Sequence, residues 1–140
     1  MDIRAIPVQG DGSFVYGKKV KKNQDGTAVL TTYDGKEIIV KTDTIGKYAE
    51  TKDSLGRKIY EGDIVHATQD WDDAYEDYGD GPVRWSDSEG EFAVDLPQTR
   101  ETGALSRFDL LVIGNIYTID LVKVKDTEWI KQYELLKAIK

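Results

Sequence analysis

From about residue 14 onward, apolar positions come in short alternating or continuous runs separated by turn-forming residues. "SFVYGKKVKK", "TAVLTTYDGKEIIVK", "KIYEGDIVHA", "GPVRW", "EFAVDL" and "RFDLLVIGNIY" carry β-branched and aromatic residues in the spacing of strands. Asp-Gly pairs at Asp11–Gly12, Asp25–Gly26 and Asp34–Gly35 suit tight hairpin turns. A two-residue turn at Asp34–Gly35 would set Tyr33 opposite Lys36, Thr31 opposite Ile38 and Val29 opposite Val40. Gly17 interrupts its strand and predicts a bulge or bend. The polar stretch "KTDTIGKYAETKDSLGRK" is long enough to carry local structure of its own. Strands over Ile59–Ala67, Pro82–Trp85 and Glu91–Leu96 follow, the last two joined by "SDSEG", with "PQTRETGALS" read as a further loop. The core expected from these runs is Ile59, Ile64 or Val65, Val83, Trp85, Phe92, Val112 and Ile116.

Near the end the period changes. In "DTEWIKQYELLKAIK", Trp129, Ile130, Tyr133, Leu136 and Ile139 recur at three- and four-residue spacing, Asp126 or Thr127 can cap, and Lys137 and Lys140 sit in the last turn. This predicts an amphipathic helix over 126–139, closing one end of its own barrel or, as the alternative, offering a partner-binding face. Many short strands, frequent turns and one helix predict a mainly β fold, a small barrel or sandwich.

Composition narrows the class. A length of 140 residues with 39% hydrophobic content fits one domain, 1–140. The absence of cysteine excludes disulfides, thiolate zinc sites and thiol nucleophiles. With no signal-peptide pattern and no apolar run near the ~20 residues of a membrane span, the expectation is a soluble, cytoplasmic protein. The net charge of −7 is uneven: residues 1–68 carry 11 basic and 10 acidic side chains, residues 69–122 carry 3 and 13. An acidic middle opposes a phosphate-binding surface. The basic stretch "GKKVKK", Lys18 to Lys22, reads as a solvated strand edge, with a nucleic-acid-binding strand as the alternative.

Motifs in the middle and late part of the chain resemble a known family. Thr44–Ile45–Gly46–Lys47–Tyr48, Lys52–Asp53, Gly56 through Val65, Gly81–Pro82–Val83–Arg84–Trp85 and Val112 through Tyr117 follow, in order and spacing, the pattern of the YopX-like proteins of phages and prophages. The chain departs from that pattern at Ala49–Glu50–Thr51, where relatives usually have Thr-Gly-Leu, so the backbone turn expected there is open to question. The acidic stretch 69–80 is not part of the pattern. The resemblance implies an SH3-like barrel over about 57–117, an N-terminal β-hairpin extension over about 1–50, no assigned enzymatic activity, and a phage or prophage origin in a bacterial host cell.

Within the shared motif, Gly62 permits a sharp change of direction and Asp63 can bond to nearby amides and lock it. Tyr60, Glu61, Gly62 and Asp63 therefore read as a folding motif, with a shared binding groove as the alternative; Gly114 and Asn115 read as a bulge or turn. His66 is the one histidine, which rules out two-histidine metal sites; it reads as a rim residue of a strand rather than a lone general base. Nucleophile elbows, phosphate-cradling glycine loops and dinucleotide fingerprints are absent from the sequence.

What remains is the acidic, aromatic stretch "QDWDDAYEDYGD". Its acids lack the spacing of a calcium loop, and paired carboxylates for hydrolysis cannot be placed from sequence. The ranking is a solvated hairpin tip first, then a partner surface of Trp71, Asp72, Asp73, Tyr75, Glu76, Asp77 and Tyr78, then metal or catalytic chemistry. The expected function is a noncatalytic protein-binding or assembly module whose partner is a phage or host protein, with self-association left open. No cofactor, catalytic set or metal-ligating set is expected. The alternatives are a carboxylate-based, metal-assisted hydrolase and a nucleic-acid-binding accessory protein.

Overall fold

The computed structural model describes residues 2–71, 74–96 and 101–117, which fall into two compact units, one up to Tyr48 and one from Ala49. The helix predicted over 126–139 lies outside the described residues.

In the first unit, β1 (Ile3–Ala5), β2 (Val15–Lys22), β3 (Ala28–Thr32) and β4 (Glu37–Val40) pair antiparallel in chain order. The residues after β1 then reach the outer edge of β4. Val8 N–H donates to the Ile39 carbonyl at 3.0 Å, and Lys41 N–H to that of Ile6 at 2.8 Å. The sheet thus closes on itself around Ile3, Ala5, Ala28, Leu30 and Val40, and the β4 edge is occupied rather than open. The bulge expected at Gly17 is present: the β2–β3 register shifts between Gly17 and Lys19. One extra residue there lets Val15 and Val20 both pack on the core although they are five apart, and leaves Lys19 and Lys21 outside.

The β3–β4 register differs by one residue from the two-residue-turn expectation: Leu30 pairs with Ile38, Val29 with Ile39 and Ala28 with Val40. A two-residue type I′ turn needs positive φ at both central residues, but here Gly35 has φ 88° and Asp34 does not share it. Thr32 N–H therefore bonds the Lys36 carbonyl at 2.8 Å across a three-residue loop. The same closure recurs from Asn23 to Thr27 and from Asp53 to Arg57, at 2.8 Å in both.

After a short 3-10 turn at Thr42–Thr44, β5 (Gly46–Lys52) carries the chain into the second unit. There β6 (Lys58–Tyr60) precedes β7 (Asp63–Trp71), β8 (Ala74–Ser86), β9 (Glu91–Leu96), β10 (Glu101–Ala104) and β11 (Asp109–Asn115). The last five form an antiparallel sheet in the order β10-β9-β8-β7-β11, curled into a half-barrel. Ile59, Val65, Ala67, Val83, Val94, Leu96, Leu105 and Leu110 fill its core. Burying a large aliphatic side chain contributes about 1.5–3 kcal/mol, so this cluster is the unit's main source of stability.

Three expectations change. The run read as one strand over Ile59–Ala67 is two strands, broken at Glu61–Gly62. The stretch read as a loop after Leu96 contains β10, a short edge strand of small and polar residues with no apolar alternation to reveal it. Trp85 is 44% exposed rather than core, and Phe92 and Val112 are half-buried, while Ile59, Ile64, Val65, Val83 and Ile116 are buried as expected.

Candidate functional site

The acidic stretch at 69–80 is a strand pair. β7 and β8 stay in register past the core, Gln69 with Glu76, Asp70 with Tyr75 and Trp71 with Ala74, and form a β-arm. Residues 74–77 are exposed, so this segment has no buried face, and its polar character concealed the strand from sequence reading. Tyr75 is 63% exposed. Asp72, Asp73 and the side chain of Trp71 lie outside the description.

A bulge organises the base of the arm. Ala67 pairs with Gly79 but Thr68 with Asp77, leaving Tyr78 as the extra residue. Without it, Asp77 and Asp80, three apart, would fall on opposite faces. With it, both meet His66 on β7: Asp80 Oδ1 lies 2.6 Å from Nδ1, and Asp77 Oδ1 lies 3.2 Å from Nε2. Burial of the ring opposes its charge, but the hydrogen bond to Asp80 and the charges of Asp77 and Asp80 outweigh it, and the His66 pKa lies above its ordinary value. With a carboxylate on each nitrogen, the ring is a cross-strand clasp; neither nitrogen is turned toward an outside reactant.

Tyr78 faces the other way. Its ring meets Phe108 edge-on at 5.2 Å, and its hydroxyl donates within reach of Gln69 Oε1 (2.8 Å) and Glu76 Oε2 (2.5 Å). Of the predicted partner surface, then, Glu76, Asp77 and Tyr78 make bonds within the arm, and Tyr75 stands out from it.

The family-motif residues build the turn between β6 and β7. Asp63, buried, accepts Tyr60 N–H at 2.8 Å. Gly62 has φ 92°, donates to the Val83 carbonyl at 2.9 Å and accepts Ile116 N–H at 2.9 Å, so one turn is tied to β8 and to the chain end of β11. Tyr60 is buried and Glu61 half-buried. The β11–β7 register shifts between Val112 and Gly114, and Asn115 Oδ1 accepts Tyr117 N–H at 3.0 Å, as a bulge followed by a turn.

Sequence reading placed Asp53 in the family pattern but gave it no role. Its buried carboxylate accepts Leu55 N–H (3.0 Å), Arg57 N–H (2.9 Å), Arg57 Nε (2.9 Å) and Val112 N–H (3.1 Å). Burial alone would raise its pKa, yet the backbone donors of Val112 and Arg57 and the Arg57 side chain hold it below the usual carboxylate value. Arg57 Nη2 also donates to the Val112 carbonyl at 2.7 Å, and Ser54 N–H to that of Leu110 at 2.8 Å. The turn thus covers backbone groups along the edge of β11, which would otherwise template pairing with another chain. The signal available in sequence was the Asp-x-x-Gly spacing of Asp53 and Gly56.

Among the described residues, no group of three His, Asp or Glu side chains is placed to hold a metal ion, and no helix is long and apolar enough to cross a membrane. No curated protein and no solved structure matches the chain. The model of the family described as YopX protein matches residues 9–119, which takes in β2 through β11 and the β-arm. With that match over about four fifths of its length, the chain belongs to the YopX protein family.

Proposed function

We propose that the chain is a noncatalytic protein-binding or assembly module of a phage or prophage, and that the β7–β8 arm is its contact surface for a basic protein partner. The observation that carries the reading is the arm itself: a strand pair that runs beyond the core, exposes residues 74–77 and presents Tyr75 among acids. A strand end whose residues 74–77 are all exposed gains little from folding alone, whereas an aromatic on a stiff acidic ribbon suits an interface anchor with electrostatic steering. The family supports the phage or prophage origin.

The test is capture from bacterial host lysate by two forms of the protein, the full chain and one with residues 69–76 replaced by Asn-Gly. A basic protein held by the full chain and lost with the arm, at unchanged melting temperature, is the expected result. Against that partner, Tyr75→Ala should raise the dissociation rate, and Asp70→Asn should mainly slow association and flatten its salt dependence. Capture that survives loss of the arm overturns the reading.

One observation favours a second reading, nucleic-acid binding: Lys19 and Lys21 line a shallow concavity on the outer face of β2–β4 with Val29, Thr31 and Glu37. A hydrolase would draw on Asp77 and Asp80, whose carboxylates are both bonded to His66.

A further inference from the structure

The first unit has an outer face that its own core does not use. Ala28, Leu30, Ile38 and Val40 turn toward the core, so the residues alternating with them, Val29, Thr31, Glu37 and Ile39, turn outward. Lys19 and Lys21 of β2 join them, and strand pairing sets the six in two rows, Lys21–Val29–Ile39 and Lys19–Thr31–Glu37. All but Ile39 line a concavity of about 380 Å³, within the ~300–1,000 Å³ of clefts that hold a ligand group. Ile39 stands 57% exposed beside it, so a lysine edge adjoins an aliphatic floor.

The arm of the second unit carries the counterpart. Asp70 and Tyr75 lie directly opposite each other on β7 and β8 and both are exposed, so an acid and an aromatic stand side by side on one face of the ribbon. Gln69 and Glu76, the next pair, point to the other face and are bonded by the Tyr78 hydroxyl. Residues directly opposite in an antiparallel pair have Cβ atoms about 4.5–5.5 Å apart. Lys21 and Val29 are one such pair and Asp70 and Tyr75 another, so the acid-to-ring spacing of the arm matches the lysine-to-aliphatic spacing of the face. With Asp70 toward Lys21, the Tyr75 ring falls on Val29 and Ile39. The reverse docking would bring Asp70 to the β4 side, beside Glu37, and like charge disfavours it.

We infer that the arm's partner is a second copy of this chain, Asp70 and Tyr75 of one copy seating on Lys19, Lys21, Val29 and Ile39 of the next; the inference rests on the reading of the arm as a contact surface for a basic protein. The charges of the two units agree with it, the first being net positive and the second strongly negative. Arm and face are different patches, so the contact is heterologous: a pair of copies still presents one arm and one face, and assembly continues head to tail. The patch is small, so each contact is weak and salt-sensitive, and assembly sets in only at high protein concentration.

Sedimentation velocity of the full chain, from micromolar to millimolar concentration, tests this. The average mass should rise past that of a dimer and fall back on addition of salt. Asp70→Asn with Tyr75→Ala disables the arm and keeps the face; Lys19→Glu with Lys21→Glu disables the face and keeps the arm. Each variant alone should stay monomeric at unchanged melting temperature, its self-association weakened about tenfold or more. Mixed in equal amounts, the two should form a dimer and nothing larger, since the mixture joins one working arm to one working face and leaves no further pair. Association that persists in either variant alone overturns the inference, as does a mixture without dimer. A full chain that stays a single copy at every concentration overturns it too, and if that single copy still captures a lysate protein through the arm, the proposed function stands with a different partner.

Discussion

At Glu50 the chain departs from the Thr-Gly-Leu of its relatives, yet the backbone keeps the shape a glycine would give. Glu50 has φ 56°, the one left-handed non-glycine among the described residues. A side chain in that region costs about 1 kcal/mol or more, because Cβ crowds the following carbonyl. Glu50 is exposed, so its side chain gives up little by removal. Glu50→Gly is therefore expected to stabilise the protein by about 0.5–1 kcal/mol, net of the entropy glycine adds to the unfolded chain. It would read as a higher denaturant midpoint at constant m-value; a lowered midpoint would show that the Glu50 side chain makes a contact worth more than the strain. Asp53 is the contrasting case. Its buried carboxylate accepts three bonds from its own exposed turn and a fourth from Val112 on β11, and no neighbouring apolar pattern advertises them, so its role became visible only once Val112 was beside it.

At the scale of elements, strands with one buried face were legible in the sequence and strands without one were not. β3, β4 and β9 show β-branched or aromatic residues against a core, whereas residues 74–77 of β8 are exposed and read as a loop. Register was harder still. One positive φ at Gly35 instead of two moved β4 by a residue, and the Tyr78 bulge, which puts Asp77 and Asp80 on one face, has no sequence signature. That bulge makes the arm pH-dependent. His66 is charged more readily folded than unfolded, so the clasp contributes stability fully below the unfolded value of about 6.5, and the contribution is lost as pH rises through the raised folded pKa. Stability should accordingly decline from about pH 6 to 8 by a fraction of a kcal/mol, the clasp being partly solvent-screened. His66→Gln should be less stable at pH 6 and flatter across the same window. Equal slopes for the two proteins in denaturant titrations at each pH would remove the clasp from the account.

For the whole molecule, the division into two units is also a division of charge. Residues 1–48 carry 8 basic and 6 acidic side chains, net +2, and residues 49–140 carry 11 and 20, net −9. The outward lysines of β2 are where a polyanion would have to bind, and Lys19 and Lys21 share their concavity with Glu37. Counterion release yields about −0.9 in log K per log salt for each phosphate neutralised, so two lysines would weaken binding only about tenfold between 50 and 200 mM salt. Such a contact supplies little affinity to begin with, and the acidic field of the remaining chain opposes approach. Gel shifts with DNA and RNA over that salt range are thus expected to show no submicromolar complex. The protein-partner reading requires that outcome, because a surface steering basic proteins repels phosphates by the same field. Submicromolar binding that weakens steeply with salt and vanishes when Lys18, Lys19, Lys21 and Lys22 are replaced would transfer the function to the first unit and leave the arm without a role in it.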